Sequence, residues 1–320
     1  MVQAKNKGGG TRRLISRAAN RVLASAIFSR SILRQAVVVF LYHEVSDHPS
    51  EFNRLFGLNV SPKVFSKQMD LIRDYFHILN PPELLRGKHP RPAALITFDD
   101  GNASYFRNAL PILKEKKIPS VIFLNMGPIE GEICWSGLVT YLQYREGPFY
   151  EKRNPGPKGN DFCWFTEEEV NRYLDTVDKE ALLRQARAFR GVIAEKEDLQ
   201  TNEPLVTFGN HLYNHHNALL LGAGARLKEM YWRNQTMLED LPRGSRLLSY
   251  PFSCWDRQTK DFLMAEGAQA VFMGGGLPNL RRNGNLFYRV ELGDKVATEE
   301  GMISEVIKNI PGAAWRGWRG

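Results

Sequence analysis

The 320-residue sequence predicts an α/β fold, either a barrel or a doubly wound parallel sheet. Short apolar runs recur along the chain, and most are continuous rather than alternating, which is typical of strands covered on both faces. Helical patterns separate several of these runs, for example at 65–75, 105–117 and 259–266. The strand-like runs lie at residues 36–42, 93–98, 120–125, 205–209, 247–252, 270–274 and 287–292.

The strand–helix rhythm breaks between residues 125 and 205. A loop rich in proline, glycine and charge occupies 145–161, and the sequence Thr166–Glu169 then has the pattern of a capping box that begins a helix. We expect two helices from there to about Glu195. We interpret residues 129–202 as an insertion, which either shapes a pocket or is a structural decoration.

The N-terminal arm, residues 1–35, holds eight basic residues and no acidic one, whereas the rest of the chain has 35 of each. A neutral body does not favour nucleic-acid binding, which needs an excess of lysine and arginine. Apolar residues at helical spacing in the arm, with arginines on another face, predict a basic amphipathic helix. It either contacts an anionic membrane surface or packs on the body. We assign the body to 36–310 and a C-terminal tail to 311–320.

Three scattered cysteines, Cys134, Cys163 and Cys254, form no paired motif and favour a reducing compartment. No run approaches the ~20 apolar residues of a membrane span, and the run at 36–42 is too short for a secretory signal. We therefore expect a cytoplasmic protein, at the inner face of the membrane if the basic arm binds lipid.

Two adjacent carboxylates, Asp99 and Asp100, end the apolar run at 93–98 in the sequence ITFDDG. The carboxyl ends of strands are the edge where α/β folds bind ligands, which favours a functional role. The Asp-Gly pair also favours a tight turn without any function, so this motif alone does not decide.

Three of the seven histidines, His211, His215 and His216, lie within six residues after another strand-like run. On a helical turn the spacing of four would place His211 and His215 on one face, and two imidazoles with a carboxylate commonly bind zinc. We predict that Asp100, His211 and His215 bind one divalent metal ion, most favourably Zn²⁺, with Co²⁺, Ni²⁺ or Mn²⁺ as alternatives. His216 is a rival of His215 because a looped backbone would present it instead. Asp99 would remain unligated as a general base.

These motifs resemble those of the polysaccharide deacetylases, the NodB-like or family-4 carbohydrate esterases. TFDDG (97–101) matches their first motif, in which the first Asp is the base and the second a metal ligand. HLYNH (211–215) is similar to their H-[ST]-x-x-H motif, with Leu212 where a hydroxyl is usual. The resemblance implies an irregular (β/α)7 barrel and removal of an N-acetyl group from an amino sugar by a metal-dependent hydrolase.

The third motif departs most from the family pattern. SYPFS (249–253) is similar to R-x-P-Y-G, but Ser249 replaces the arginine that orients the base. Arg289, in the last strand-like run, is our candidate replacement, against an ordinary surface ion pair. The resemblance implies that a backbone N–H in this motif helps to hold the oxyanion, and the N–H of Phe252 would still serve because a backbone donor survives side-chain change.

The general acid of many family members is a His in a C-terminal L-x-H motif, and here no His follows His216. LYH (41–43) ends the first strand-like run and resembles the permuted members, whose L-x-H strand comes first. First and last strands are neighbours in a closed barrel, so His43 is the predicted acid, with a hydrogen-bonded rim His as the alternative.

Four side chains are weaker candidates for substrate contact: Tyr42, Pro251, Trp135 and Trp255. For the two tryptophans, a role in the core or at the barrel rim is equally well supported. The substrate is predicted to be an acetylated amino sugar, with a lipid- or nucleotide-linked sugar favoured over an extracellular polymer. The rival functions are a catalytically silent carbohydrate-binding protein on the same fold, and a hydrolase of a small non-sugar amide or ester. The sequence does not indicate which oligomeric state the protein adopts.

Overall fold

The computed structural model of the protein describes residues 31, 33–146, 161–281 and 283–309. Its strands are β1 (Val37–Tyr42), β2 (Glu44–Val45), β3 (Asn59–Val60), β4 (His77–Ile78), β5 (Ala93–Phe98), β6 (Ser120–Leu124), β7 (Val206–Asn210), β8 (Gly244–Ser249), β9 (Ala270–Met273) and β10 (Leu286–Glu291).

Seven parallel strands close into a barrel because β1 pairs with β10 on one side and with β5 on the other. The order around the barrel is β1, β10, β9, β8, β7, β6, β5, and the short β4 pairs with the beginning of β5. The short strands β2 and β3 pair with each other in a separate two-stranded sheet. The predicted barrel is confirmed over the open sheet, and each predicted strand-like run overlaps one of its seven strands.

Helices surround the barrel. They are α1 (Glu51–Phe56), α2 (Pro62–Tyr75), α3 (Pro81–Arg86), α4 (Leu110–Lys116), α5 (Met126–Ile129), α6 (Trp135–Arg145), α7 (Glu167–Leu174), α8 (Lys179–Arg190), α9 (Ala218–Leu221), α10 (Ala225–Glu239), α11 (Arg257–Ala265) and α12 (Glu299–Ile307). A π-helical turn at Tyr105–Ala109 leads into α4, and 3₁₀ turns occupy Asp161–Trp164, Lys196–Gln200 and Pro251–Ser253.

Alternation along the strands separates an inner core from an outer one. Every second strand residue, such as Val39 and Leu95, fills the barrel, while its neighbours, such as Phe40 and Ile96, pack under the helices. Both faces are buried, which explains the continuous apolar runs. At the carboxyl ends of the strands, the inward positions lie at the barrel mouth, and there the side chains are polar instead of apolar.

The insertion between β6 and β7 has a small core of its own, formed by α6, α7 and α8. The predicted capping box is present at the start of α7: the Thr166 side chain accepts from Glu169 N–H, and the Glu169 carboxylate accepts from Thr166 N–H at 2.8 Å. The second expected helix ends at Arg190 rather than near Glu195, because Gly191 has φ +89° and stops α8.

The predicted basic helix of the N-terminal arm and the tail at 311–320 lie outside the described residues, apart from residues 31 and 33–35. Within the described ranges, no helix is long and apolar enough to cross a membrane.

Candidate active site

A cavity of about 790 Å³ opens at the carboxyl-terminal mouth of the barrel. Its apolar side is formed by α1 and the loop after it, with Phe52, Phe56 and Leu58, and by Phe252 on the loop after β8. Its polar lining contains six residues that the sequence singles out: His43, Asp99, Asp100, His211, His215 and Arg289. The fold therefore gathers these six residues from four distant segments at the edge where α/β barrels bind ligands.

Asp100, His211 and His215 form a compact, buried cluster whose candidate ligand atoms all lie within 4.8 Å of one another. Asp100 Oδ1 lies 3.3 Å from His211 Nε2 and 3.1 Å from His215 Nε2. Tetrahedral zinc bonds of about 2.1 Å place ligand atoms about 3.4 Å apart, so these separations suit one ion.

Hydrogen bonding decides which nitrogen of His211 faces Asp100. His211 Nδ1–H donates to the carbonyl of Ser249 at 2.8 Å, so Nε2 carries no proton and presents its lone pair to Asp100. Asp100 Oδ1 is buried and has no hydrogen-bond partner among the described residues. Two electron-pair donors that face each other at 3.3 Å repel unless a cation or proton lies between them. The donor set therefore fits a divalent metal ion.

The protonation states also suit metal binding. Burial alone would raise the pKa of Asp100, but His215 and Arg190 outweigh it and hold that pKa well below its usual range. Burial lowers the pKa of His215, against the attraction of Asp100. An ionised carboxylate and a neutral imidazole are the forms that bind a metal.

The histidine loop differs from the predicted helical turn, and that prediction was wrong. Residues 211–215 are not helical, and Leu212 and His215 have left-handed backbones with φ of 56° and 58°. Asn125 Nδ2 donates to the carbonyls of His211 and Leu212, and Leu212 N–H donates to Asn210 Oδ1 at 2.8 Å. Amide side chains thus support the loop where the family pattern has a hydroxyl.

His216, the rival of His215, lies outside the cluster. Its ring stacks on Trp135 with centroids 4.7 Å apart, and its Nε2 lies 2.9 Å from Glu167 Oε1. Its neighbour His215 instead packs edge-on against the ring of Phe252 at 4.5 Å, above Asp100. The left-handed conformation of His215 separates the directions of these two side chains.

Asp99 is bound by Arg289 through two parallel hydrogen bonds of 2.7 and 2.6 Å. Arg289 Nη2 also donates to Ser249 Oγ at 2.7 Å, and Ser249 Oγ donates to Asp99 Oδ2 at 3.2 Å. Arg289 is only 1% exposed, so this contact is not a surface ion pair. Burial raises the pKa of Asp99, but Arg289 and His211 outweigh it and lower that pKa. Asp99 Oδ2 lies 3.8 Å from His211 Nε2.

His43 lies at the barrel mouth beside β10, where Leu41 of β1 is in register with Glu291. Its Nδ1 lies 3.2 Å from Glu291 Oε1. Burial lowers the pKa of His43, but the hydrogen bond and charge of Glu291, with Asp100 and Asp99 behind it, raise that pKa above its usual value. His43 therefore holds a proton more readily than a free imidazole does.

Phe252 has a left-handed backbone, with φ 56° and ψ 8°, in the turn after β8. Both Phe252 and Ser253 line the cavity, and Ser253 Oγ accepts from Gly274 N–H at 2.8 Å. The role of the Phe252 N–H as an oxyanion donor stays a prediction.

The four weaker substrate candidates do not line this cavity. Tyr42 occupies an outward strand position, stacked on Phe98 at 5.5 Å, because Leu41 and His43 take the inward positions on either side. Trp135 packs in the core of the insertion, and Trp255 packs against the main core. Pro251 is the buried first residue of the 3₁₀ turn after β8.

The sequence did not indicate Arg190, which comes from α8 of the insertion and is buried against the metal cluster. Its Nη2 lies 3.0 Å from Asp100 Oδ2. Basic residues are common in the last turn of surface helices, because they complement the helix dipole. A single arginine at that position therefore gives no signal of a buried role.

Comparisons with known proteins agree with the motifs. The family model described as polysaccharide deacetylase matches residues 86–149, which include the Asp99–Asp100 motif. No curated protein matches the sequence.

Solved structures share the fold at low sequence identity. The deacetylase PplD of Streptococcus pyogenes, in complex with acetate, is 14% identical with a TM-score of 0.55, over 85% of this chain and 98% of that one. IcaB from Ammonifex degensii is 20% identical with a TM-score of 0.55, over 84% and 97%. A de-N-acetylase from Aggregatibacter actinomycetemcomitans is 17% identical with a TM-score of 0.54, over 84% and 99%.

The chain is thus an irregular (β/α)7 barrel of the NodB-like type, and its predicted resemblance to the polysaccharide deacetylases is confirmed. The family match, which covers the Asp99–Asp100 motif, supports carbohydrate deacetylation.

Proposed function

We propose that the protein is a metal-dependent hydrolase that removes an N-acetyl or similar acyl group from an amino sugar. One observation carries this proposal: a buried, arginine-bound carboxylate, Asp99, lies beside the Asp100–His211–His215 cluster at the mouth of the cavity. The family match over residues 86–149 supports the sugar amide as substrate.

Asp99 is the base in this proposal. A bound divalent ion would supply Lewis-acid polarisation of the amide carbonyl and of a water. The ionised Asp99 carboxylate takes the proton of the attacking water, and Arg289 and Ser249 hold the carboxylate in place. Because Arg289 lowers the pKa of Asp99, the Asp99 carboxylate is charged over the whole physiological pH range.

His43 is the acid. The charge of Glu291 favours the protonated imidazole, which donates its Nε2 proton to the departing amine while Nδ1 stays against Glu291. The Phe252 N–H donates to the oxyanion from the opposite side of the cavity. Base, acid and oxyanion donor then come from three different strand ends, which the closed barrel brings together.

The cavity lining suggests a substrate with two chemically different faces. Phe52, Phe56 and Leu58 offer an apolar side, while Glu305 and Lys308 offer charges. This mixture suits a sugar attached to a further group, such as a lipid- or nucleotide-linked sugar. The proposal includes a cytoplasmic location, with membrane contact through the basic N-terminal arm.

The test is acetate release. The full chain, loaded with Zn²⁺ or Co²⁺, is incubated with acetylated amino sugars in free, nucleotide-linked, lipid-linked and polymeric form, alongside simple amides and esters. We expect acetate from at least one sugar class. Bound metal without turnover of any substrate would identify a silent carbohydrate-binding protein, and turnover of the simple amides or esters alone would identify a different hydrolase.

A further inference from the structure

Arg190 is the last residue of α8 and extends from the insertion to the loop that carries Asp100. The side chain is only 2% exposed. Its Nη2 lies 3.0 Å from Asp100 Oδ2, and its Nη1 donates to Asn102 Oδ1 at 2.9 Å. One guanidinium therefore bridges two residues of the metal-ligand loop.

The backbone after Arg190 also pairs with this loop. Ala103 N–H donates to the carbonyl of Val192 at 3.0 Å, and Ala194 N–H donates to that of Gly101 at 2.9 Å. These bonds hold the loop from the insertion side, where Asp100 itself has a left-handed backbone with φ 73°. A non-glycine residue in that conformation needs its surroundings to hold it.

The space around Arg190 is built for its side chain. A Cβ on Gly137 of α6 would lie 2.7 Å from Arg190 Cβ, so only glycine permits this approach. The guanidinium carbon lies 4.7 Å from the ring centre of Phe52, which also lines the active-site cavity. Arg190 is thus fixed by packing as well as by hydrogen bonds, as a positioning residue requires.

We propose that Arg190 positions Asp100 for the metal: it holds Oδ2 and leaves Oδ1 as the one carboxylate oxygen that faces His211 and His215. This inference rests on the metal site of the proposed function, but not on the identity of the substrate. A carboxylate without such a partner is free to rotate or to bind an ion through both oxygens. The insertion is then a structural part of the metal site.

The same bridge reaches the proposed acid. Asn102, which accepts from Arg190, donates from its Nδ2 to the backbone carbonyl of His43 at 3.0 Å. Arg190 therefore connects the metal-ligand loop to the end of β1, and its loss should disturb Asp100 first and His43 second.

A purely electrostatic role of Arg190 and a positioning role predict different effects of substitution on metal affinity, so metal titration distinguishes the two roles. If Arg190 acted only through its charge, Arg190→Met would bind a divalent cation more tightly and Arg190→Lys would bind it as the wild type does. If Arg190 positions Asp100, both variants bind more weakly, because a lysine keeps the charge but does not bridge Asp100 and Asn102 in the fork geometry of arginine.

The experiment is titration of the full chain with Co²⁺, which reports both affinity and, through its visible absorption, coordination geometry. We expect roughly 10–100-fold weaker binding and an altered spectrum in Arg190→Met, and a smaller loss with an altered spectrum in Arg190→Lys. The control is Arg187→Met, one turn earlier on α8, where the arginine is exposed and donates to the carbonyl of Gly131.

Wild-type affinity and an unchanged spectrum in both Arg190 variants would overturn the inference, and so would tighter binding by Arg190→Met. If circular dichroism shows that Arg190→Met does not fold, Arg190→Lys alone decides by the same two readouts. Because both are metal-binding readouts, failure of the wild type to release acetate would refute the proposed function and leave this inference standing.

Discussion

Arg289 on β10 and Asp99 after β5 face each other through two parallel hydrogen bonds, although 190 residues separate them in sequence. Such a bidentate pair fixes the plane of the carboxylate as well as its charge. Arg190 forms a second buried pair with Asp100 on the other side of the cluster. Each of two adjacent carboxylates thus has its own arginine, which explains how both stay ionised in a buried site.

Asp99→Asn should abolish acetate release while metal binding remains. The amide keeps the size of the side chain but cannot accept the proton of the attacking water, so we expect a loss of about 10²–10⁴-fold in kcat. Metal content, measured by atomic emission, should equal that of the wild type, because Asp99 is not one of the three clustered ligand residues. Full activity in this variant would rule out Asp99 as the base.

Arg289→Met should move the acidic limb of the pH–rate profile to higher pH. Arg289 lowers the pKa of Asp99, so its removal raises that pKa, and the base is then lost by protonation at a higher pH than in the wild type. The profile of kcat/KM against pH gives the measurement. An exposed arginine, as in Arg257→Met, is the control and should leave both limbs in place; an unmoved acidic limb in Arg289→Met would contradict the assignment of that limb to Asp99.

The strand pattern was sufficient to predict an α/β fold with parallel strands, because continuous apolar runs indicate strands that are covered on both faces. The choice of a barrel over a doubly wound sheet needed the family resemblance. The Asp100, His211 and His215 set was also within reach of the sequence, since three histidines in six residues give a strong local signal. The contact of Arg289 with Asp99 needed a resemblance, because no spacing rule links the end of β5 to β10, 190 residues later in the chain.

Other parts of the site were beyond sequence reasoning for physical reasons. The histidine loop depends on left-handed backbone at Leu212 and His215, conformations that these residue types do not signal. Tyr42 was assigned to the substrate because both faces of β1 are buried. The sequence of such a strand does not show which residues point into the barrel and which point outward. The burial of Arg190 depends on how the insertion docks, and no local pattern in α8 encodes that.

Glu291→Gln should move the alkaline limb of the pH–rate profile to lower pH. Against burial, Glu291 raises the pKa of His43, so its neutralisation lowers that pKa. The proposed acid must be protonated to serve the leaving amine, and in the variant it loses its proton at a lower pH. The glutamate at 300, which is exposed on α12, gives the matched control Glu300→Gln. An alkaline limb that does not move in Glu291→Gln would show that another group is the acid.

His215→Ala and His216→Ala should differ sharply in metal content although the two residues are adjacent. His215 Nε2 lies 3.1 Å from Asp100 Oδ1, whereas His216 stacks on Trp135 and contacts Glu167. Loss of one of three protein ligands should leave less than stoichiometric zinc after dialysis, while His216→Ala should retain one ion per chain. Thermal unfolding with and without added Zn²⁺ provides a second measurement, because an ion that binds only the folded chain raises its Tm. The reverse result, with metal lost in His216→Ala and kept in His215→Ala, would exchange the two assignments and contradict the loop geometry described above.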